Sequence, residues 1–178
     1  MTTFDFGSGP VPAHQHPNGG GWVADTAHVD DSAYIGSNAR VYDNARVYGN
    51  ARVYDSARVY DSAWVYGNAW VYGNAWVYGD ARVFGDARVF GDAQVFGDAQ
   101  VFGDAKLAKS SDFLLIGPIG SRAAVMTWTR SDNCIATGCF RGTVKEFLKA
   151  VRETHGDNEH AQAYRAAVKF IRAMEKLV

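Results

Sequence analysis

The stretch Trp64–Asp86, WVYGNAWVYGNAWVYGDARVFGD, says nearly the same six letters four times, and its period decides the fold. Outward from it in both directions an aliphatic residue recurs every sixth position, from Val23, Val29 and Ile35 to Val101 and Leu107, fifteen hexapeptides in all. Two residues before each stands an alanine, with Gly21 the exception in the first repeat. On an α-helix, residues six apart are rotated by about 240°, which scatters these side chains to three directions instead of forming one apolar stripe. A helix is therefore excluded. Six is a multiple of the two-residue strand period, so Ala and Val keep to one side and the residue between them to the other. The next positions, Gly or Asp and then Asn, Ser or Asp, tolerate left-handed and turn dihedrals and force a corner. Each repeat is a short strand and a bend.

Two architectures fit that unit. A meander of fifteen very short strands would be an open sheet beyond the usual size, with its Ala/Val face uncovered. A coil in which three repeats make one triangular turn buries that face against itself. The spacing of an aliphatic residue and a small residue four positions later, as in Val65 to Ala69 or Val83 to Ala87, resembles the hexapeptide-repeat family over about half the chain. That resemblance implies a left-handed, three-sided parallel β-helix with three hexapeptides per coil, hence five coils for fifteen repeats. At ~4.8 Å per coil the prism would be about 24 Å long. Fifteen buried aliphatic side chains at ~1.5–3 kcal/mol each supply on the order of 20–45 kcal/mol before conformational entropy is subtracted, enough for the coil to hold its own fold.

The outward positions depart from the family pattern. Tyr follows the aliphatic residue from Tyr42 to Tyr78, and Phe from Phe84 to Phe102, where the family usually has Gly or a small acid. Before the aliphatic residue stand Arg40, Arg46, Arg52 and Arg58, then Trp64, Trp70 and Trp76, then Arg82, Arg88, Gln94 and Gln100. An 18-residue register stacks these into three columns in which every such Trp lies between two Arg or between Arg and Gln. One reading is a ladder of cross-strand stacking and cation–π pairs that stabilises the outside of the prism. The other is an interface carried by Trp64, Trp70, Trp76, Tyr66, Tyr72 and Tyr78. Three-fold assembly is the habit of the family, so the resemblance implies a homotrimer.

Composition bounds the rest. With 178 residues, 47% hydrophobic, and a net charge of −1, the sequence describes a soluble globular chain of one or two domains. It has no apolar run long enough for a membrane span, and MTTFDFGSGP lacks the basic and apolar regions of a signal peptide. Cys134 and Cys139 are too few for a disulfide framework or a zinc site and suit a reduced, cytoplasmic environment. From residue 22 to 108 there are 11 Asp against 6 Arg and one Lys, net −4, whereas residues 109 to 178 hold 11 basic against 7 acidic residues, net +4. The boundary falls at KLAKSSD, where the hexapeptide signal fails. The expected organisation is an extended arm over 1–21, the β-helix over 22–108 and a small α+β domain over 109–178.

In that last domain DFLLIGPIG, AAVMTWT and CIATGCF read as three strands separated by turns. TVKE is a capping box, with Thr143 as N-cap and Glu146 reaching back, opening a helix with Val144, Phe147, Leu148 and Val151 on its apolar face. Gly156 closes it, and Asp157 or Asn158 caps a second helix that turns Tyr164, Ala167, Val168, Ile171 and Met174 inward. The segment IGPIGSR…GCFRGT…HGDN resembles the tail of uncharacterised bacterial and phage proteins with hexapeptide repeats, which implies no known activity but admits a place in a phage particle.

Chemistry is thinner. Hexapeptide-repeat acyltransferases need a histidine base at a subunit interface and loops that enclose a CoA arm, yet these repeats run without an insertion and the coil's one histidine is His28. The γ-class carbonic anhydrases of that fold need three zinc histidines, which the coil does not supply, and its single Thr26 gives no ice-binding threonine ladder. His14 and His16 sit on one side of the arm and, where three chains meet, would offer six imidazoles to a transition metal; the following Pro17 and three glycines point instead to a mobile leader. GPIGSR, with Arg122, has the glycines to cradle a phosphate but opens no helix, so a tight turn is the plainer reading. Arg165, Lys169, Arg172 and Lys176 recur at spacings of four, three and four along one uninterrupted stripe of the last helix, echoed by Lys145, Lys149 and Arg152 on the preceding one. That stripe is either a solvated face or a site for an anionic small molecule, a nucleotide, nucleic acid or an acidic protein. Three functions stay open: a non-enzymatic oligomeric solenoid serving as scaffold or binding module, a CoA-dependent acyltransferase, and a capture protein for an anionic small molecule. No resident cofactor is expected.

Overall fold

Strands of two residues cannot pair with their neighbours in sequence, because a corner intervenes every six residues; they pair with the strand one full coil away. The computed structural model describes residues 2–176, and in it the repeats form a β-solenoid of about five turns followed by a small domain with a four-stranded antiparallel sheet and two helices. The chain divides into two compact units, Met1–Ser110 and Ser111–Val178.

Strands β1 (Thr3–Asp5) and β2 (Pro10–Gln15) precede the solenoid, whose fifteen strands β3 to β17 run from Trp22–Ala24 and His28–Val29 through Trp64–Val65 to Lys106–Leu107. They fall into three parallel sheets, one per face of the prism, and the pairing is in register at 18 residues: Val47, Val65 and Val83 align, as do Arg46, Trp64 and Arg82. Amides of each coil donate to carbonyls of the next, at the strand (Trp64 to Ala81, 2.8 Å) and at the corner (Asn68 to Gly85, 2.9 Å). Inside, every alanine and aliphatic residue of the pattern from Ala33 to Leu107 is 0% exposed, so the core is a dry stack of small apolar side chains.

Corners explain the alternation of Gly and Asp. Gly79 has φ +70°, and a Cβ there would stand 2.9 Å from the Gly97 amide nitrogen in the next coil, too close for a side chain. Where the corner residue is Asp, as at Asp43, Asp55 and Asp61, the backbone still takes φ near +56°. Two of these carboxylates accept from the amide one coil on, Asp55 from Gly73 and Asp61 from Gly79, both at 3.2 Å, a local bond that offsets the left-handed strain.

The N-terminal residues are ordered structure and not the mobile leader expected from Pro17 and the glycines. β1 and β2 form an antiparallel hairpin, and β2 pairs with β3 through Ala13–Ala24, His14–Val23 and Gln15–Trp22, extending one face of the solenoid to seven strands. Phe4 stacks on Trp22 at 4.5 Å and Phe6 on Tyr42 at 4.9 Å, so the hairpin carries the outer aromatic ladder of that face past the first coil while β2 pairs with the otherwise open edge of β3.

In the second unit β18 (Phe113–Ile119), β19 (Ala124–Thr129), β20 (Cys134–Thr137) and β21 (Phe140–Thr143) form a meander. The fourth strand corrects the expected three: CIATGCF is broken by a left-handed turn at Gly138, φ +53°, and Phe140 returns antiparallel to Thr137. α1 (Val144–His155) opens on the capping box, Thr143 Oγ1 accepting from the Glu146 amide while Glu146 accepts from the Thr143 amide. Asn158 caps α2 (Glu159–Glu175) by accepting from the Ala161 amide at 3.0 Å. Both helices lay their apolar sides on Met126, Trp128 and Ile135 of the sheet.

Candidate functional site

The outward residues of the solenoid come first, because the sequence offered them as an interface. Trp64, Trp70 and Trp76 lie in three different sheets, one on each face. Guanidinium groups lie over each indole: Arg46 at 4.8 Å and Arg82 at 5.5 Å on Trp64, Arg52 at 5.3 Å and Arg88 at 5.0 Å on Trp70, and Arg58 at 5.0 Å on Trp76. Tyr66, Tyr72 and Tyr78 stack on the ring one coil further on, Phe84, Phe90 and Phe96, at 4.9, 5.2 and 5.8 Å. All six rings are half-buried within their own chain. Burial among neighbouring rings pushes the Tyr60 hydroxyl up to about 12 and raises Tyr42 and Tyr54 as well.

His28 is exposed and aligned with Arg46. His14 is exposed and its Nδ1 lies 2.9 Å from Asp25 Oδ1, whereas His16 is 3% exposed, with Nδ1 3.3 Å from the Asn18 backbone and Nε2 buried without a partner. Among the described residues no group of three His, Cys, Asp or Glu is placed to hold a metal.

The basic residues of the second unit divide into two places. Arg165, Lys169 and Arg172 of α2 meet Arg152 of α1 around one groove of about 330 Å3 with Leu148 and Val168 as its apolar floor. Helical geometry causes this: steps of four and three residues keep the α2 cations within a narrow arc, and the adjacent Val168 faces α1. No acid interrupts the stripe along α2, but one of its cations is engaged by an acid of the preceding turn. Arg165 donates from Nη1 to Asp157 Oδ1 at 2.7 Å and from Nη2 to the Gly156 carbonyl at 2.8 Å, tying down the turn between the helices. Lys149 pairs with Glu153 at 3.8 Å along α1. Among the described residues no carboxylate oxygen lies within 4 Å of the side-chain nitrogens of Arg152, Lys169 or Arg172, so these three form the groove's available charge. Lys176 is exposed beyond the end of α2 and does not line the groove. Arg122 lies apart from both helices' stripe, in a turn of the sheet where Nη1 approaches Cys139 Sγ at 3.7 Å.

The Leu148 and Val168 floor was not picked out as part of a site, since both read simply as core positions. Arg152 was legible only as one cation of a parallel stripe; its convergence with α2 depends on how the helices cross, which periodicity does not encode.

The family model described as the YdcK β-solenoid repeat matches residues 39–55, 45–61, 51–67, 63–79 and 81–97, about a third of the chain and all of it within the solenoid. The matches support a repeat β-helix class for this unit. No curated protein and no solved structure matched the chain. Among the described residues no helix is long and apolar enough to cross a membrane.

Proposed function

We propose that the protein is a non-enzymatic β-solenoid binding scaffold, assembled as a homotrimer, whose C-terminal helix pair recognises an acidic segment of a partner protein. The observation that carries the recognition is the groove itself: three cations without a carboxylate partner, Arg152, Lys169 and Arg172, around an apolar floor of Leu148 and Val168. A floor of that kind takes an aliphatic side chain, and the cations beside it take flanking carboxylates. The uninterrupted repeats from Val23 to Leu107 support a rigid spacer role for the solenoid, since nothing is inserted to enclose a substrate.

The test is titration of the full chain with a synthetic peptide of alternating Glu and Leu across a salt series. Three surface charge pairs at ~0.2–1 kcal/mol each predict that changing Arg152, Lys169 and Arg172 together to Gln weakens binding roughly three- to hundredfold. The native affinity should also fall as salt rises. Affinity indifferent to both salt and the substitutions would sink the reading, and tighter binding of ATP or a single-stranded oligonucleotide than of the peptide would replace the acidic protein by a nucleotide or nucleic acid.

A further inference from the structure

A second cavity of the C-terminal unit, of about 430 Å3, lies where two turns of the sheet meet the helices. Arg122 comes to it from the β18–β19 turn, Thr137 from the end of β20, Cys139 from the β20–β21 turn, Phe147 and His155 from α1, and Tyr164 from α2. Its size is that of a small-molecule site, and its walls are mainly apolar with a few polar groups converging, the usual constitution of such a site.

Three features describe the missing complement. Thr137 is 7% exposed, yet its Oγ1 is buried with no hydrogen-bond partner, a state that native structures rarely leave unsatisfied. The Arg122 guanidinium meets the weak acceptor Cys139 Sγ and has no carboxylate within 4 Å among the described residues. No Asp or Glu lines the cavity, so the charge it presents is positive. A ligand that satisfies all three has an apolar body against Phe147 and Tyr164 and a single anionic head of planar geometry, which a guanidinium fork grips through two parallel N–H donors.

We propose that this cavity binds a small monocarboxylic acid, its carboxylate on Arg122 and the Thr137 hydroxyl and its hydrocarbon part between Phe147 and Tyr164. The site is independent of the helix groove, which shares none of these residues. Inorganic phosphate is a poorer match, because it has no hydrocarbon part to fill the apolar space between Phe147 and Tyr164.

Cys139 makes the proposal measurable without knowing the natural ligand. It is exposed and beside Arg122, whereas Cys134 is half-buried, its thiol pushed up to about 11 by burial and by Asp132, so Cys139 is the faster thiol to alkylate. The experiment is alkylation of the full chain by iodoacetamide, with modification at Cys139 read by peptide mass spectrometry, in the presence of benzoate or hexanoate. Saturable slowing of Cys139 alkylation by either acid, none by the same concentration of inorganic phosphate, and loss of protection in Arg122→Gln are the expected results. Thr137→Val, which keeps the apolar volume, should raise the protecting concentration several-fold, and Arg122→Lys should fall between Arg and Gln. The triple groove variant Arg152→Gln, Lys169→Gln, Arg172→Gln should protect as the native chain does. No saturable protection in the native chain, protection that survives Arg122→Gln, or equal protection by phosphate overturns the proposal; loss of protection in the groove variant overturns the independence of the two sites.

Discussion

Val65→Asp tests the placement of the whole repeat with one atom-scale change. Val65 is 0% exposed, sits in the middle coils of its face, and is paired in register with Val47 and Val83, so everything it touches inward is Val or Ala. The substitution forfeits ~1.5–3 kcal/mol of apolar burial. It also places a carboxyl where no donor can reach it; even after protonation, such a group without hydrogen bonds costs ~2–7 kcal/mol. The sum, ~4–10 kcal/mol, is comparable to the whole stability of an ordinary domain. Because a solenoid is held by nearest-neighbour contacts between coils, a break at this level disconnects the coils on either side. Urea unfolding followed by tryptophan fluorescence reads the solenoid, since Trp22, Trp64, Trp70 and Trp76 lie in it and only Trp128 lies outside. The midpoint should collapse for Val65→Asp and move little for Val65→Ile, an aliphatic enlargement whose like, Ile35, the core already accommodates at 0% exposure. A midpoint for Val65→Asp equal to that of the native chain would refute the inward assignment of every sixth residue.

Other outcomes follow from the outer side and from the second unit. Light scattering should return about three times the 19.4 kDa chain mass, and Trp64→Ser, Trp70→Ser and Trp76→Ser together should lower both that mass and the urea midpoint; a native mass of one chain refutes the trimer. The Tyr60 hydroxyl is held protonated by burial up to about 12 against an ordinary value of 10.0, so the folded state retains a proton that the unfolded state has lost. Stability from this group is therefore intact below pH 10 and drains away as pH rises toward 12, and Tyr60→Phe should flatten that decline in urea midpoints measured across the window. Gly120→Ala should destabilise the C-terminal unit by at least ~1–3 kcal/mol, since Gly120 has φ +74° and a Cβ there would sit on the Tyr164 hydroxyl. An unchanged urea midpoint in helical circular dichroism, which α1 and α2 supply, would show that turn to be looser than described.

The solenoid was legible because its rule is local and repeated. The inward pair, the 18-residue register and the columns of Arg and Trp all follow from a period of six and need no knowledge of distant contacts. The hairpin was missed because its signal is short: Phe4 and Phe6 alternate with polar residues as a strand does, but two aromatic residues gain meaning only when the outward rings of Trp22 and Tyr42 are there to receive them. Pro17 and the glycines then misled, since they form the link between β2 and β3 instead of a loose leader. In the second unit the helix caps were readable from Thr143, Glu146, Gly156 and Asn158, whose partners lie within a few residues. The groove and the cavity were not, as Arg152 meets Lys169, and Arg122 meets Thr137 and Cys139, only through the crossing of helices and the meeting of turns.

The two units hold their guanidinium groups in different ways, and that contrast locates the anion chemistry. On the solenoid, Arg46, Arg52, Arg58, Arg82 and Arg88 each hold the guanidinium over an indole. A guanidinium in that pose still carries its charge, but its face is occupied and its direction is set by the ladder. The solenoid also carries the Asp corners and a net charge of −4, which repel an acidic partner approaching those arginines from solvent. In the C-terminal unit, net +3, Arg130 lies over a ring, Trp128 at 5.5 Å, while Arg122, Arg152 and Arg172 have neither an aromatic face nor a carboxylate given to them among the described residues. The same residue type therefore does structural work where it alternates with tryptophan every 18 residues and is left available where helix periodicity gathers it without an aromatic partner. Neutralising a solenoid arginine, as in Arg46→Gln, should accordingly lower the urea midpoint and leave peptide binding intact, the reverse of what Lys169→Gln does.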